Sequence, residues 1–194
     1  MSSTIGMLDL ATGALGAGMV AAFVNQGLVW VKEHRRDATA LKLRQEHAAL
    51  ALAVALERYA LACAHAVLSI QRGLSFAERD QNPGHLSANV PDLVLPESAE
   101  GKCLPAALVA RVLALPLAIR YAQAQVGIEW VDADHFDAAD CAIPRVGRLG
   151  WDAWNIAIAL RRQQSLPEAA PNLDDSAWDF RACLKHAADK RATY

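Results

Sequence analysis

Residues 37–73, DATALKLRQEHAALALAVALERYALACAHAVLSIQRG, carry the pattern that decides the fold. Ala49, Leu52, Leu56, Tyr59, Cys63, Ala66 and Ile70 recur at alternating spacings of three and four, which lines them along one side of an α-helix. Arg44, Glu57, Arg58, His65 and Arg72 fall off that seam. A seam of about three heptads suits one member of a helical hairpin or bundle and is marginal for an independent coiled coil. Composition agrees. Roughly a fifth of the 194 residues are alanine, the best helix former, and β-branched and aromatic residues are comparatively few. The sequence predicts an all-α protein.

Upstream, Leu10–Val31 reads LATGALGAGMVAAFVNQGLVWV without one charged residue. As a helix this run is about 33 Å long at ~1.5 Å per residue, close to the roughly 30 Å of a bilayer core. Asp9 closes it on one side, and Lys32-Glu33-His34-Arg35-Arg36 closes it on the other. Trp30, Lys32, Arg35 and Arg36 are the expected membrane-interface residues, and the lack of Lys or Arg before the run orients it with the N-terminus outside. A cleaved signal peptide is disfavoured because no basic region precedes the run. A helix buried in a core or between subunits remains the alternative, since Asn25 and Gln26 and many Ala and Gly moderate its apolarity. Gly13, Ala17 and Ala21, and Ala14, Gly18 and Ala22, recur at four-residue spacing, which would let two such helices approach closely in lipid.

Four segments follow: a membrane-spanning helix over 1–31, a long amphipathic helix over 32–73, a Pro- and Gly-containing loop over 74–103, and helices over 104–194 that complete a small cytoplasmic bundle. The loop holds Asn82-Pro83-Gly84, Pro91, Pro96 and Gly101 and is a candidate region for partner contact. In the last segment Pro105 and Pro144 suit first helical turns, and Pro116 should kink or divide its helix. Leu104–Leu115 is apolar but short for a second span, so a buried bundle helix is expected there. Ala177–Arg191 reads as a final helix burying Phe180, Leu184 and Ala187, capped by Asp174 or Asp175.

Chemistry is sparse. The net charge of −2, with basic residues spread along the chain, argues against a nucleic-acid surface. Cys63, Cys103, Cys141 and Cys183 form no C-x-x-C pair and read as reduced thiols, consistent with a cytoplasmic bundle. Asp132, Asp134, His135, Asp137 and Asp140 are weak candidates for a divalent metal, but the Gly and Glu that an EF-hand loop requires are missing. Those acids serve equally well as helix caps. Cys183 and His186 lack a second ligand pair, and no nucleophile elbow or phosphate loop is present. Trp151 and Trp154 share a helix face and are candidate partner contacts, with core packing as the alternative.

The sequence therefore predicts a single-pass protein of the plasma (inner) membrane. Its expected contacts are membrane lipid, a homo-oligomer through the first helix and a protein partner, and no cofactor is indicated. The alternatives are a metal-dependent enzyme using residues 132–140 and a soluble oligomer with the first helix buried between subunits.

Overall fold

The structure, a computed structural model, describes residues 5–96, 104–132, 134–169 and 178–190, and for 5–33, 35 and 85 the backbone alone. Its elements are α1 (Ile5–Asp80), a 3₁₀ turn (Pro83–His85), α2 (Ala106–Asp132), α3 (His135–Gln163) and α4 (Phe180–Asp189). Every regular element among the described residues is helical, so the protein is all-α. The chain forms two compact units, Met1–Arg44 and Gln45–Tyr194. In the first, the backbone is helical from Ile5, and Arg36–Arg44 are exposed. The second is a helical bundle.

In that bundle the α1 seam does what its spacing implies. Ala49, Leu52, Leu56, Tyr59, Cys63 and Ile70 are buried, and Ala66 packs half-buried against them. The helix does not stop at Gly73, as the sequence suggested, but continues to Asp80. One interior glycine costs a helix only about 1 kcal/mol, and the turn beyond it buries Ala77 and packs Leu74. Gln81 then takes a left-handed φ of 48°, and the Asn82 N–H returns to the Ala77 carbonyl at 3.1 Å, closing the helix end. The Asn82 side chain accepts from the Gly84 N–H, and Pro83 opens the 3₁₀ turn. Part of the expected loop is packed chain: Leu86 and Val90 join the core, and Gln123 of α2 donates to the Val90 carbonyl and to Asp92.

Three further boundaries differ from the sequence reading. α2 runs undivided through Pro116. α3 begins at His135, not at Pro144, which lies buried in its interior. A proline removes one N–H from the helical ladder, and the flanking turns are held by packing on both sides of it. The cap of α4 is Asp179, whose carboxylate accepts from the N–H groups of Arg181 and Ala182; Asp174 and Asp175 lie outside the described residues. Phe180, Leu184 and Ala187 are buried as expected.

α3 is the centre of the bundle, packing against α2 and α4 and, through Gly150, against α1. A Cβ on Gly150 would lie 2.6 Å from the Cys63 Cβ and 2.6 Å from Leu184 Cδ2. A Cβ on Gly147 would lie 2.5 Å from the Ala187 Cβ and 2.8 Å from the Ala188 backbone nitrogen. Both glycines are needed because α3 and its neighbours approach closer than any side chain permits.

Two helical stretches, Arg36–Asp80 and Ala106–Asp132, are long and apolar enough to cross a membrane by length and composition. They differ in where that apolarity goes: 44% of the apolar window is buried in the first and 28% in the second. The α1 stretch spends its apolar side chains on the bundle core. α2 does so with only one face.

Gly147→Ala and Gly150→Ala should each destabilise the bundle by about 1–3 kcal/mol, the usual cost of overpacking. Thermal unfolding followed by circular dichroism should show both melting several degrees below the parent, with Gly147→Ala worse because it meets backbone.

Candidate interaction surfaces

α2 carries two apolar seams on opposite sides. Val112, Leu115, Ile119, Ala122 and Val126, spaced three and four apart, are buried in the core. Ala107, Ala110, Ala114, Leu117, Tyr121, Ala124, Ile128 and Val131 repeat the same spacing on the other side, and all are exposed. The seam positions themselves are uncharged, with Leu113 and Ala106 bordering them on one side and the exposed Arg111 on the other. Leu117 is 73% exposed and Val131 81%. With Leu113 65%, Tyr121 65% and Ile128 61% exposed as well, the face is a contiguous apolar patch of the kind that marks a contact surface. The expectation of a buried helix from Leu104 is thus half right: one face is core, and the other is open.

Charge borders the open face. Arg120 is exposed on one flank. On the other, Glu129 is held by Arg145 of α3 through two contacts of 2.5 Å, and Arg145 also donates to the Cys141 carbonyl. Gln125 donates to the Tyr121 hydroxyl at 2.9 Å, so the one polar atom within the seam is occupied along its own helix.

A second bidentate pair joins α1 to α3. Arg161 Nε and an NH2 nitrogen donate to the two Glu57 oxygens at 2.5 and 2.9 Å, while NH1 donates to the Pro167 carbonyl. Both side chains are largely buried (12% exposed for Arg161 and 17% for Glu57). The hydrogen bonds to Glu57 outweigh burial and hold the guanidinium in its charged form. Beside this pair a cleft of about 450 Å³ is lined by Val54, Arg58, Leu61, Trp154 and Phe180 among others. Trp154 is buried edge-on to Phe180 at 5.2 Å, and Trp151 is half-buried, so core packing claims the first and most of the second.

The acidic segment is used for structure. Asp134 caps α3 by accepting from the Phe136 N–H at 2.8 Å. His135 stacks on Trp130 with ring centroids 4.8 Å apart, and Asp140 pairs with Lys190 at 2.6 Å. Asp132 and Asp137 are exposed. Among the described residues, no three His, Cys, Asp or Glu side chains converge as a metal site would require. Of the thiols, Cys63 is buried and Cys141 and Cys183 are half-buried, all free; Cys103 lies outside the described residues. The Tyr59 hydroxyl is buried without a hydrogen-bond partner, and burial together with the adjacent Cys63 pushes its pKa far up. The helix-association set Gly13, Ala17, Gly18, Ala21 and Ala22 and the interface residues Trp30, Lys32 and Arg35 lie outside the described side chains, while Arg36 is exposed.

No family model, curated protein or solved structure matches this chain.

Glu57→Ala strands Arg161 in a largely buried position and should cost about 3 kcal/mol, whereas Glu57→Ala with Arg161→Met should recover much of that loss. Urea denaturation of the two single variants and the double variant checks this cycle. Burial pushes the Cys63 thiol up to about 12, against roughly 8.5 for an unfolded cysteine. The neutral thiol therefore stabilises the fold fully below that unfolded value, and the contribution is lost as pH rises from there toward about 12. Iodoacetamide footprinting at pH 8 should leave Cys63 unmodified in the native protein and label it on unfolding.

Proposed function

We propose that the protein is a membrane-anchored helical interaction module, with the N-terminal part of α1 as its anchor and the bundle of the second unit displaying the open face of α2. The observation that carries this reading is that apolar face, which serves no purpose in the core. An uncharged seam opposite an already packed one costs solubility unless something covers it.

Support for the anchor comes from continuity. The uncharged run Leu10–Val31 lies on a backbone that is helical without interruption from Ile5 to Asp80, as a spanning segment must be when lipid offers no hydrogen bonds. The basic cluster after the run orients the bundle toward the cytoplasm of the plasma (inner) membrane. Cys63, Cys141 and Cys183 as free thiols are compatible with that compartment.

Alkaline carbonate extraction of the full chain from cells tests the anchor. The protein should stay in the membrane pellet, and Phe23→Asp with Val24→Asp should release it. Recovery of the unaltered chain in the soluble fraction would instead assign its first helix to an oligomer interface.

A further inference from the structure

The open face of α2 has a graded shape that selects its own partner. Small residues (Ala107, Ala110, Ala114) line the N-terminal half of the seam with Leu113 at its rim, Leu117 and Tyr121 stand at the middle, and Ile128 and Val131 follow Ala124 at the C-terminal end. We propose that this face pairs with the same face of a second copy of the chain, the two α2 helices running antiparallel about a two-fold axis near Ile119. The proposal rests on reading the α2 face as a contact surface and is independent of the membrane anchor.

In this register Ala107 meets the partner's Val131, Ala110 the partner's Ile128, Ala114 the partner's Ala124, and Leu117 the partner's Tyr121. Large residues then face small ones at both ends, which lets the layers interdigitate. A parallel pair would set Ala107 and Ala110 each against itself at one end and Ile128 and Val131 each against itself at the other, leaving one end thin and the other crowded. At the rim, Leu113 lies on the same flank as the partner's Gly127, an exposed glycine with no side chain to obstruct it.

The area suffices. Leu113, Leu117, Tyr121, Ile128 and Val131 are 65%, 73%, 65%, 61% and 81% exposed, and covering them in two copies together with the alanines between them removes on the order of the 1,000 Å² that a specific interface must clear. Antiparallel helices also oppose their dipoles favourably. One contact is adverse: Arg120 lies across the axis from the partner's Arg120. Both are exposed at the rim, where salt screens them within about 10 Å at 0.1 M. The pairing should accordingly tighten with ionic strength.

Disulfide cross-linking of the full chain in whole-cell lysate, with copper phenanthroline as oxidant and the membrane and soluble fractions separated afterwards, reads the register directly. The unaltered protein, carrying its native thiols, sets the background. Ala118→Cys lies at the axis and should give a covalent dimer. Ala110→Cys should not cross-link to itself, whereas co-expressed Ala114→Cys and Ala124→Cys chains should link to each other. Leu117→Glu, at a site too exposed to disturb the bundle, should cut the Ala118→Cys dimer more than tenfold, and Arg120→Gln should raise its yield.

Self-linking of Ala110→Cys with none at Ala118→Cys would overturn the antiparallel register. The absence of any new band would overturn the dimer and leave lipid or another protein on the face. Finding the Ala118→Cys dimer in the soluble fraction would refute the anchor while leaving the dimer intact, so the two failures are distinct.

Discussion

The bundle depends on how closely α3 is approached by its neighbours. Gly147 and Gly150 present bare backbone to α4 and to Cys63 of α1, where an added Cβ would fall 2.5 and 2.6 Å from neighbouring carbons, about 1 Å inside the optimal separation of roughly 3.5–4.0 Å. That closeness explains the weight of small residues in the core, where Ala49, Ala53, Ala60, Ala64, Ala139, Ala142, Ala153 and Ala157 are buried. Thin helices pack closely, and dispersion contacts accumulate over backbone as well as side chains. A core built this way cannot absorb added volume by rotamer changes alone.

Two arginine–carboxylate clamps complement this packing at the edges of α3. Arg161 with Glu57 ties it to α1, and Arg145 with Glu129 ties it to α2. Bidentate pairs of this kind fix orientation as much as they contribute energy. Largely buried, they are weak arguments for net stability and stronger ones for register, since a slide of one helical turn would strand both charges. The acidic residues between α2 and α3 have the same character. Asp134 closes a helix end and Asp140 anchors Lys190, which is why a segment rich in carboxylates gathers no metal-ligating cluster among the described residues.

α2 stands apart because its apolarity exceeds what the core can use. Its inner seam is matched by α3, and its outer seam has the same period and, among the described residues, nothing to meet it. Helices that are apolar on two sides occur where a second surface covers the second side. The flanks of that seam, with Glu129 already paired and Tyr121 satisfied by Gln125, hold few polar groups that a covering surface would leave stranded.

The sequence by itself determined that the chain is helical, which α1 residues face the core, and that Phe180, Leu184 and Ala187 form the buried side of α4. These follow from local rules: a 3.6-residue period, alanine's propensity and the burial of apolar side chains. The outer seam of α2 was also legible as a three–four spacing, but its inner twin has the same spacing, and nothing local says which of the two is packed. Only the tertiary structure decided that. It also decided the pairing of Glu57 with Arg161, which lie 104 positions apart, and the need for glycine at 147 and 150. It overrode Gly73, Pro116 and Pro144 as breakers, because packing on both sides of a helix outweighs the one hydrogen bond or the backbone entropy that such a residue removes. Contacts between segments distant in sequence leave no periodic trace, and so they belong to the fold rather than to any stretch of the chain.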